Sequence, residues 1–247
     1  MRATIYGVLP SNPTHSVRLM AEYTGIEHRM VWILPGLHPA LIHLHGFRGN
    51  TVPAMKLDGR RYQHSRAISR ALDDASDGPK LFPADAAQRA EVEEAERWGE
   101  QVLQRVPRRV YRWIAAHHNS FRTQLASEVG IPLPTVVARA NAPVARIMAG
   151  RAGASDEAVR ETLAELPGYL DHVQQLISSG VIGAEEPNAA DFQIVTSVRT
   201  LLCHEDLVAA IGGHPAARWA RELMPEYPGT VPALVPAEWL VPLRATG

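Results

Sequence analysis

The sequence predicts an α/β domain followed by an all-helical one, and three observations predict it. The first third of the chain carries β-forming runs at residues 4–6, 29–34, 54–57 and 60–62. Helical apolar spacing is interleaved with those runs. Beyond Asp85 the helical spacing continues alone. The expected first domain spans residues 1–78 and the helical domain 85–247, with Gly78-Pro79 and Phe82-Pro83 as punctuation between them.

The elements follow in order. Thr4-Ile5-Tyr6 reads as a strand that runs into Pro10-Ser11-Asn12-Pro13 and a helix. Val17, Leu19, Met20 and Tyr23 give that helix its apolar face, and Gly25 stops it. A second strand covers 29–34, and an irregular stretch follows. Residues 54–57 and 60–62 flank Asp58-Gly59, a hairpin signal. Residues 65–72 are helical again, completing β-α-β, irregular, β-β-α. In the second half, Val92, Ala95, Val102, Val106, Val110, Trp113 and Ile114 recur at three- and four-residue steps. Pro107 should kink or split that helix. Further helices are expected at 125–129, 156–179 with a break at Pro167-Gly168, 189–202 and 216–223, and the proline-rich tail after Met224 should lie extended on the surface.

Composition narrows the function. Of 247 residues 46% are hydrophobic and 21% charged, with a net charge of -1, which gives no electrostatic case for nucleic acid or an anionic membrane as partner. Arg105, Arg108, Arg109 and Arg112 cluster on one helix, either as a solvated face or as an anion-attracting rim. The one cysteine, Cys203, rules out a disulfide within the chain, a Cys-x-x-Cys pair and a cysteine zinc site. That composition fits a reducing cytosol, and the start lacks the apolar core of a signal peptide. No apolar run approaches the roughly 20 residues that span a bilayer. His117-His118 and His43-x-His45 are not spaced as a metal site, so no metal is expected.

Four motif elements stand at fixed spacing. Ser11 lies two residues before Pro13, and Gly36-Leu37-His38 follows the second strand. Val52-Pro53 comes fourteen residues after His38, and Ser65, of Ser65-Arg66-Ala67-Ile68, thirteen after Val52. These residues resemble the glutathione transferase superfamily, and in particular its serine-type branch, the theta and phi classes. The likeness extends over nearly the whole chain and is strongest over residues 4–73. It implies an α/β thioredoxin-like N-terminal domain plus an all-α C-terminal helical domain, the glutathione transferase fold. It implies an enzyme of detoxification type, cytoplasmic and homodimeric, that conjugates glutathione to a small hydrophobic electrophile without a metal. The Ala- and Arg-rich composition fits a bacterial member.

The resemblance also assigns roles. Pro53 takes the family's cis-proline position, which turns the main chain of Val52 toward the cysteinyl backbone of a bound thiol. Ser11 takes the thiol-activating position. A free thiol with pKa about 8.5 is roughly 3% thiolate at pH 7, and lowering that pKa by about two units needs about 2.7 kcal/mol. A donated hydrogen bond and a helix N-terminus favour the anion. Ser11 otherwise caps the helix, or Asn12 or Thr14 does the work. His38 would reach the thiol's terminal carboxylate, or is a surface histidine. Ser65 would hold the γ-glutamyl carboxylate at a helix start, or is a plain cap. Tyr111 and Trp113 lie on the helix that lines the family's second-substrate pocket, or they pack in the core. Asn188 and Asp191 match the family's folding cap.

One position departs from the pattern. His64 stands where the family has a Glu that accepts the γ-glutamyl ammonium. An imidazole cannot neutralise that charge, and a charge-assisted bond is worth about 1.5–3 kcal/mol. The thiol is therefore either glutathione or another low-molecular-weight thiol such as mycothiol. The departure also raises a second reading, a non-catalytic relative that binds apolar ligands or a protein partner. A disulfide reductase is disfavoured, because no cysteine opens the first helix.

Overall fold

The β-forming runs pair into one mixed sheet, β1 (Arg2–Gly7), β2 (Glu27–Trp32), β3 (Ala54–Leu57) and β4 (Arg60–Gln63), in the order β2-β1-β3-β4. This is seen in a computed structural model that describes residues 2–33, 38–128 and 130–244. Leu34, Gly36, Leu37 and Val129, used in the sequence reading, lie outside the described residues. β1 and β2 are parallel, and β1–β3 and β3–β4 are antiparallel. Tyr6 stands opposite both Val31 and Ala54, and Ala54 opposite Gln63. That register brings the ends of β1, β2 and β4 and the start of β3 to the same end of the sheet. The β3–β4 turn is Asp58-Gly59, both left-handed at φ 45° and 85°, as a two-residue hairpin requires.

Helices α1 (Asn12–Tyr23), α2 (His38–Leu44) and α3 (Ser65–Ala75) cover the sheet. Val17 and Met20 of α1 and Ile68 and Leu72 of α3 pack with Ile5 and Met55. Ile42 of α2 joins Tyr6, Ile33, Phe47 and Ala54 in a second cluster. β1 is buried on both faces, which is why its pattern is a continuous run rather than an alternation. The segment expected to be irregular contains α2, which gives no periodic signal because it is seven residues long and buries only Ile42 fully.

The helical part begins with α4 (Ala86–Trp98), a π-helical turn (Gly99–Leu103) and α5 (Arg105–His117). The run is divided just upstream of Pro107, which lies in the first turn of α5, in line with the expected kink or split. Pro107 cannot donate to the carbonyl of Leu103 and its ring crowds it. The π turn sits directly upstream, where Gln104 N donates to Gly99 O at 2.9 Å, and absorbs the misfit. Next come α6 (Asn119–Glu128), α7 (Pro134–Ala140), α8 (Ala142–Arg151) and α9 (Asp156–Ser178). α9 runs on through Pro167, held by buried Val159, Leu163, Leu166, Leu170 and Val173. α10 (Ala189–Leu201) is buried almost all round and opens with a capping box in which Asn188 and Asp191 serve each other. α11 (Glu205–Ile211) and α12 (Pro215–Leu223) follow. The tail is not a surface strap, since Val231, Val235, Trp239, Leu240 and Leu243 are buried in the main core.

The two parts meet across α1 and α10. Asn12 Nδ2 donates to Ser197 Oγ (3.0 Å) and Ser16 Oγ to Gln193 Oε1 (3.4 Å), all buried. A second strut joins α3 to α4. There Glu96, fully buried, accepts from Ser69 Oγ at 2.7 Å and pairs with Arg70 and, at 3.6 Å, Arg66.

Candidate functional site

β1 ends at Gly7, where any side chain would run into α1, because a Cβ there would sit 2.0 Å from Thr14 Cγ2. The chain turns at once, with Ser11 N donating to Val8 O at 3.0 Å. Ser11 is the N-cap of α1 by its backbone, and its carbonyl accepts from Thr14 N at 2.9 Å. Its side chain makes no capping bond and is partly exposed. The other two candidates are committed elsewhere: Asn12 is buried on Ser197, and Thr14 is fully buried against Gly7. His15 fixes the preceding loop, its Nε2 donating to Leu9 O at 2.7 Å. Burial, which outweighs the hydrogen bond to Leu9 O, holds that imidazole below its ordinary pKa.

The Val52-Pro53 bond is cis. Gln63 holds the loop that leads to it: Oε1 accepts from Gly49 N (2.8 Å), and Nε2 donates to Thr51 O (3.3 Å). His64 follows, exposed, with its N–H on Pro53 O (3.3 Å) and its backbone at φ 70°, ψ 141°. For a residue with a Cβ that conformation costs about 1–3 kcal/mol, and such strain collects at functional sites. Ser65 opens α3 and is buried, with its hydroxyl donating to Glu100 Oε1 at 3.2 Å. A carboxylate of the protein itself thus stands at this helix start, beside the slot expected to take a ligand carboxylate.

His38 is the first residue of α2 and is partly buried, with Nδ1 unpaired among the described residues. Burial first, and Arg112 second, hold its pKa below the ordinary value. Arg112 comes from the helical part, so His38 lies where the two parts face each other. Between them is an apolar cavity of about 940 Å³. Leu9, Pro10, Trp32 and Ile33 form its sheet-side wall, next in the chain to Ser11. Tyr111 lines the opposite side, edge-on to Phe121 at 5.3 Å, and burial pushes its phenol up to about 12. Trp113 does not line the cavity, which corrects the expectation for it. Two residues further round α5 it points into the core, its ring on Trp239 (5.0 Å) and its Nε1 donating to Asp156 Oδ1 (2.7 Å).

Residues 5–80 match the family model of the glutathione S-transferase N-terminal domain. More than nine-tenths of the chain superposes on solved glutathione S-transferases. One from Methylobacillus flagellatus KT, with GSH bound, is 16% identical over 93% of this chain and 100% of its own, at TM-score 0.60. One from Rhodospirillum rubrum F11 is 16% identical over 97% and 99%, at TM-score 0.59. Glutathione S-transferase 1-6 from Anopheles dirus species B is 22% identical over 91% of each chain, at TM-score 0.56. The chain has the glutathione S-transferase fold. No curated protein matches it in sequence.

Within this glutathione S-transferase fold the sheet register brings to one end of the sheet the segments that carry Ser11, Val52-Pro53 and His64-Ser65; Pro10, next to Ser11, lines the cavity, and none of these five residues does. Sequence reading missed the groups that position them. His15 and Gln63 act through ring and amide contacts to main chain, and Glu100 reaches Ser65 from another part of the sequence. None of the three belongs to a local motif. Among the described residues no group of three or more His, Cys, Asp and Glu is arranged to hold a metal ion, and no helix is long and apolar enough to cross a membrane.

Proposed function

We propose that this protein is a glutathione transferase-like enzyme of the serine type, which conjugates glutathione or another low-molecular-weight thiol to a small hydrophobic electrophile. The observation that carries the reading is the register Tyr6–Ala54–Gln63. It gathers an uncommitted hydroxyl at a helix start, a main-chain edge at a cis proline and a second helix start next to an apolar cavity. The main chain of Val52 pairs with the thiol's cysteinyl backbone. Ser11 donates to the sulfur and stabilises the thiolate, which attacks the electrophile in the cavity wall lined by Tyr111. His38 holds the thiol's terminal carboxylate, and Ser65 the other end. The enzyme works as a cytoplasmic homodimer.

The end of the thiol near Ser65 meets an unusual environment. His64 offers no charge to an ammonium, and Glu100 already takes the Ser65 hydroxyl. Glu100 disfavours a second carboxylate there but can accept an ammonium. This favours a thiol bound mainly through its cysteinyl backbone. It also supports the second reading, a non-catalytic binding protein.

The two readings separate on one experiment. Glutathione, mycothiol and free cysteine are titrated by calorimetry and assayed with a model electrophile, for the wild type and Ser11→Ala. The enzyme reading expects saturable binding of at least one thiol. Loss of the hydroxyl should lower turnover at pH 7 about 20- to 30-fold and move the inflection of the pH–rate profile up by about two pH units, as a thiol returned to its ordinary pKa would. Saturable thiol binding without turnover, or no binding of any of the three, supports the non-catalytic reading.

A further inference from the structure

The cavity contains a charge that the protein does not answer. Arg112, on α5, is partly buried and lines the cavity next to Tyr111 and Ala115. It makes no hydrogen bond or ion pair among the described residues. The other arginine in that wall, Arg122, is fully engaged. It donates to the carbonyls of Ala138 (3.0 Å), Ala115 (2.6 Å) and Ala116 (3.2 Å) and to Asn119 Oδ1 (3.3 Å). One turn back, Arg109 donates to Thr162 Oγ1 at 2.9 Å. The acid of the wall, Glu128, accepts from Gln124 and does not pair with Arg112. Tyr111, Arg108 and His38 act electrostatically with Arg112, and none of them is a carboxylate.

A half-desolvated guanidinium without a hydrogen-bond or ion-pair partner is costly, and the natural relief is an anion brought by a ligand. A guanidinium fork matches a carboxylate in two parallel hydrogen bonds, and they are stronger in apolar surroundings. A cavity of about 940 Å³ holds a drug-sized molecule, and such sites combine apolar walls with a few polar groups that set specificity. We propose that the cavity selects an apolar ligand bearing a carboxylate, and that Arg112 is the residue that recognises it. The proposal rests on reading this cavity as the second-substrate site.

The test needs no turnover. Naphthylacetate and its neutral isostere naphthylacetamide are titrated calorimetrically into wild type, Arg112→Gln and Arg112→Lys at low salt. The wild type should bind the carboxylate about 10-fold or more tightly than the amide, the worth of one charge-assisted pair. Arg112→Gln should bind both equally, with the amide affinity unchanged, and Arg112→Lys should keep part of the preference. No preference in the wild type, or a preference that survives Arg112→Gln, overturns the proposal. So does equal loss of both ligands in Arg112→Gln, which would make the residue a packing element. Glutathione is titrated in parallel. If Arg112→Gln weakens glutathione and leaves naphthylacetate untouched, the guanidinium serves the thiol's carboxylate and the assignment falls. If no thiol binds while the carboxylate preference follows Arg112, the transferase reading fails and the anion site stands.

Discussion

His204 is completely buried, and neither ring nitrogen has a partner among the described residues. Burial lowers its pKa from 6.5 to about 4. The fold therefore holds the neutral ring, while the unfolded chain takes up a proton near pH 6.5. Below that pH the unfolded state binds more protons, so stability is full above about 6.5 and falls as pH drops toward 4. The loss amounts to about 3 kcal/mol once both pKa values are passed. Urea unfolding of wild type and His204→Leu at pH 7.5 and pH 4 measures it. The variant removes unpaired buried polar atoms, so it should be as stable as wild type or more so at pH 7.5. It should then gain on wild type by about 2–3 kcal/mol at pH 4. Parallel pH dependence of the two proteins would contradict the assignment. At this scale the sequence shows a histidine and nothing of its surroundings. Ser11 is the opposite case, since its place between Pro10 and Pro13 announces a helix start by local chemistry alone.

Between elements, the strut from α3 to α4 turns on Glu96. It accepts from Ser69 and pairs with Arg66 and Arg70, yet burial outweighs all of them and its carboxyl sits above the usual range. Such a group adds little over an apolar replacement of the whole cluster, but removing one member leaves the others stranded. Glu96→Ala should lower stability by about 3 kcal/mol or more, read as a drop in Tm. Glu96→Gln keeps the hydrogen bond from Ser69 and should lose less. Because Ser65 lies one turn back along α3 and its partner Glu100 lies in the π turn that follows α4, Glu96→Ala should also weaken thiol binding. A variant with an unchanged Tm would show that the cluster does not hold the two helices together. The long helices were legible as elements, since their apolar stripes repeat over several turns. α2, α7 and α11 were not, because a seven-residue helix completes only two turns and leaves no periodic signal, and neither was α8, which buries Ala149 alone and so carries no apolar stripe.

Across the molecule, the sheet part and the helical part share one apolar core and a buried polar seam. Gln193 is the centre of the seam, accepting from Ser16 on α1 and donating to Gln104 Oε1 at 2.8 Å. The expectation is one cooperative transition, with tryptophan fluorescence and far-UV circular dichroism coinciding in urea. Gln193→Ala should shift both midpoints together by about 1–3 kcal/mol, the cost of leaving buried partners unmet. Two separated transitions would mean that the seam does not couple the parts.

The sequence alone determined the four strands with the helices α1 and α3 between and after them, the hairpin at Asp58-Gly59, the cap at Asn188 and Asp191 and the loop that holds Val52-Pro53. Each is set by residues within a few positions of one another, where backbone sterics and local hydrogen bonding decide the outcome. Only the tertiary structure decided that Arg112 lines a cavity while Trp113 enters the core, that Glu100 meets Ser65 and that the tail is buried. Those outcomes depend on which face of a helix meets which neighbour across the fold, and burial and electrostatics act through space, where sequence distance has no meaning.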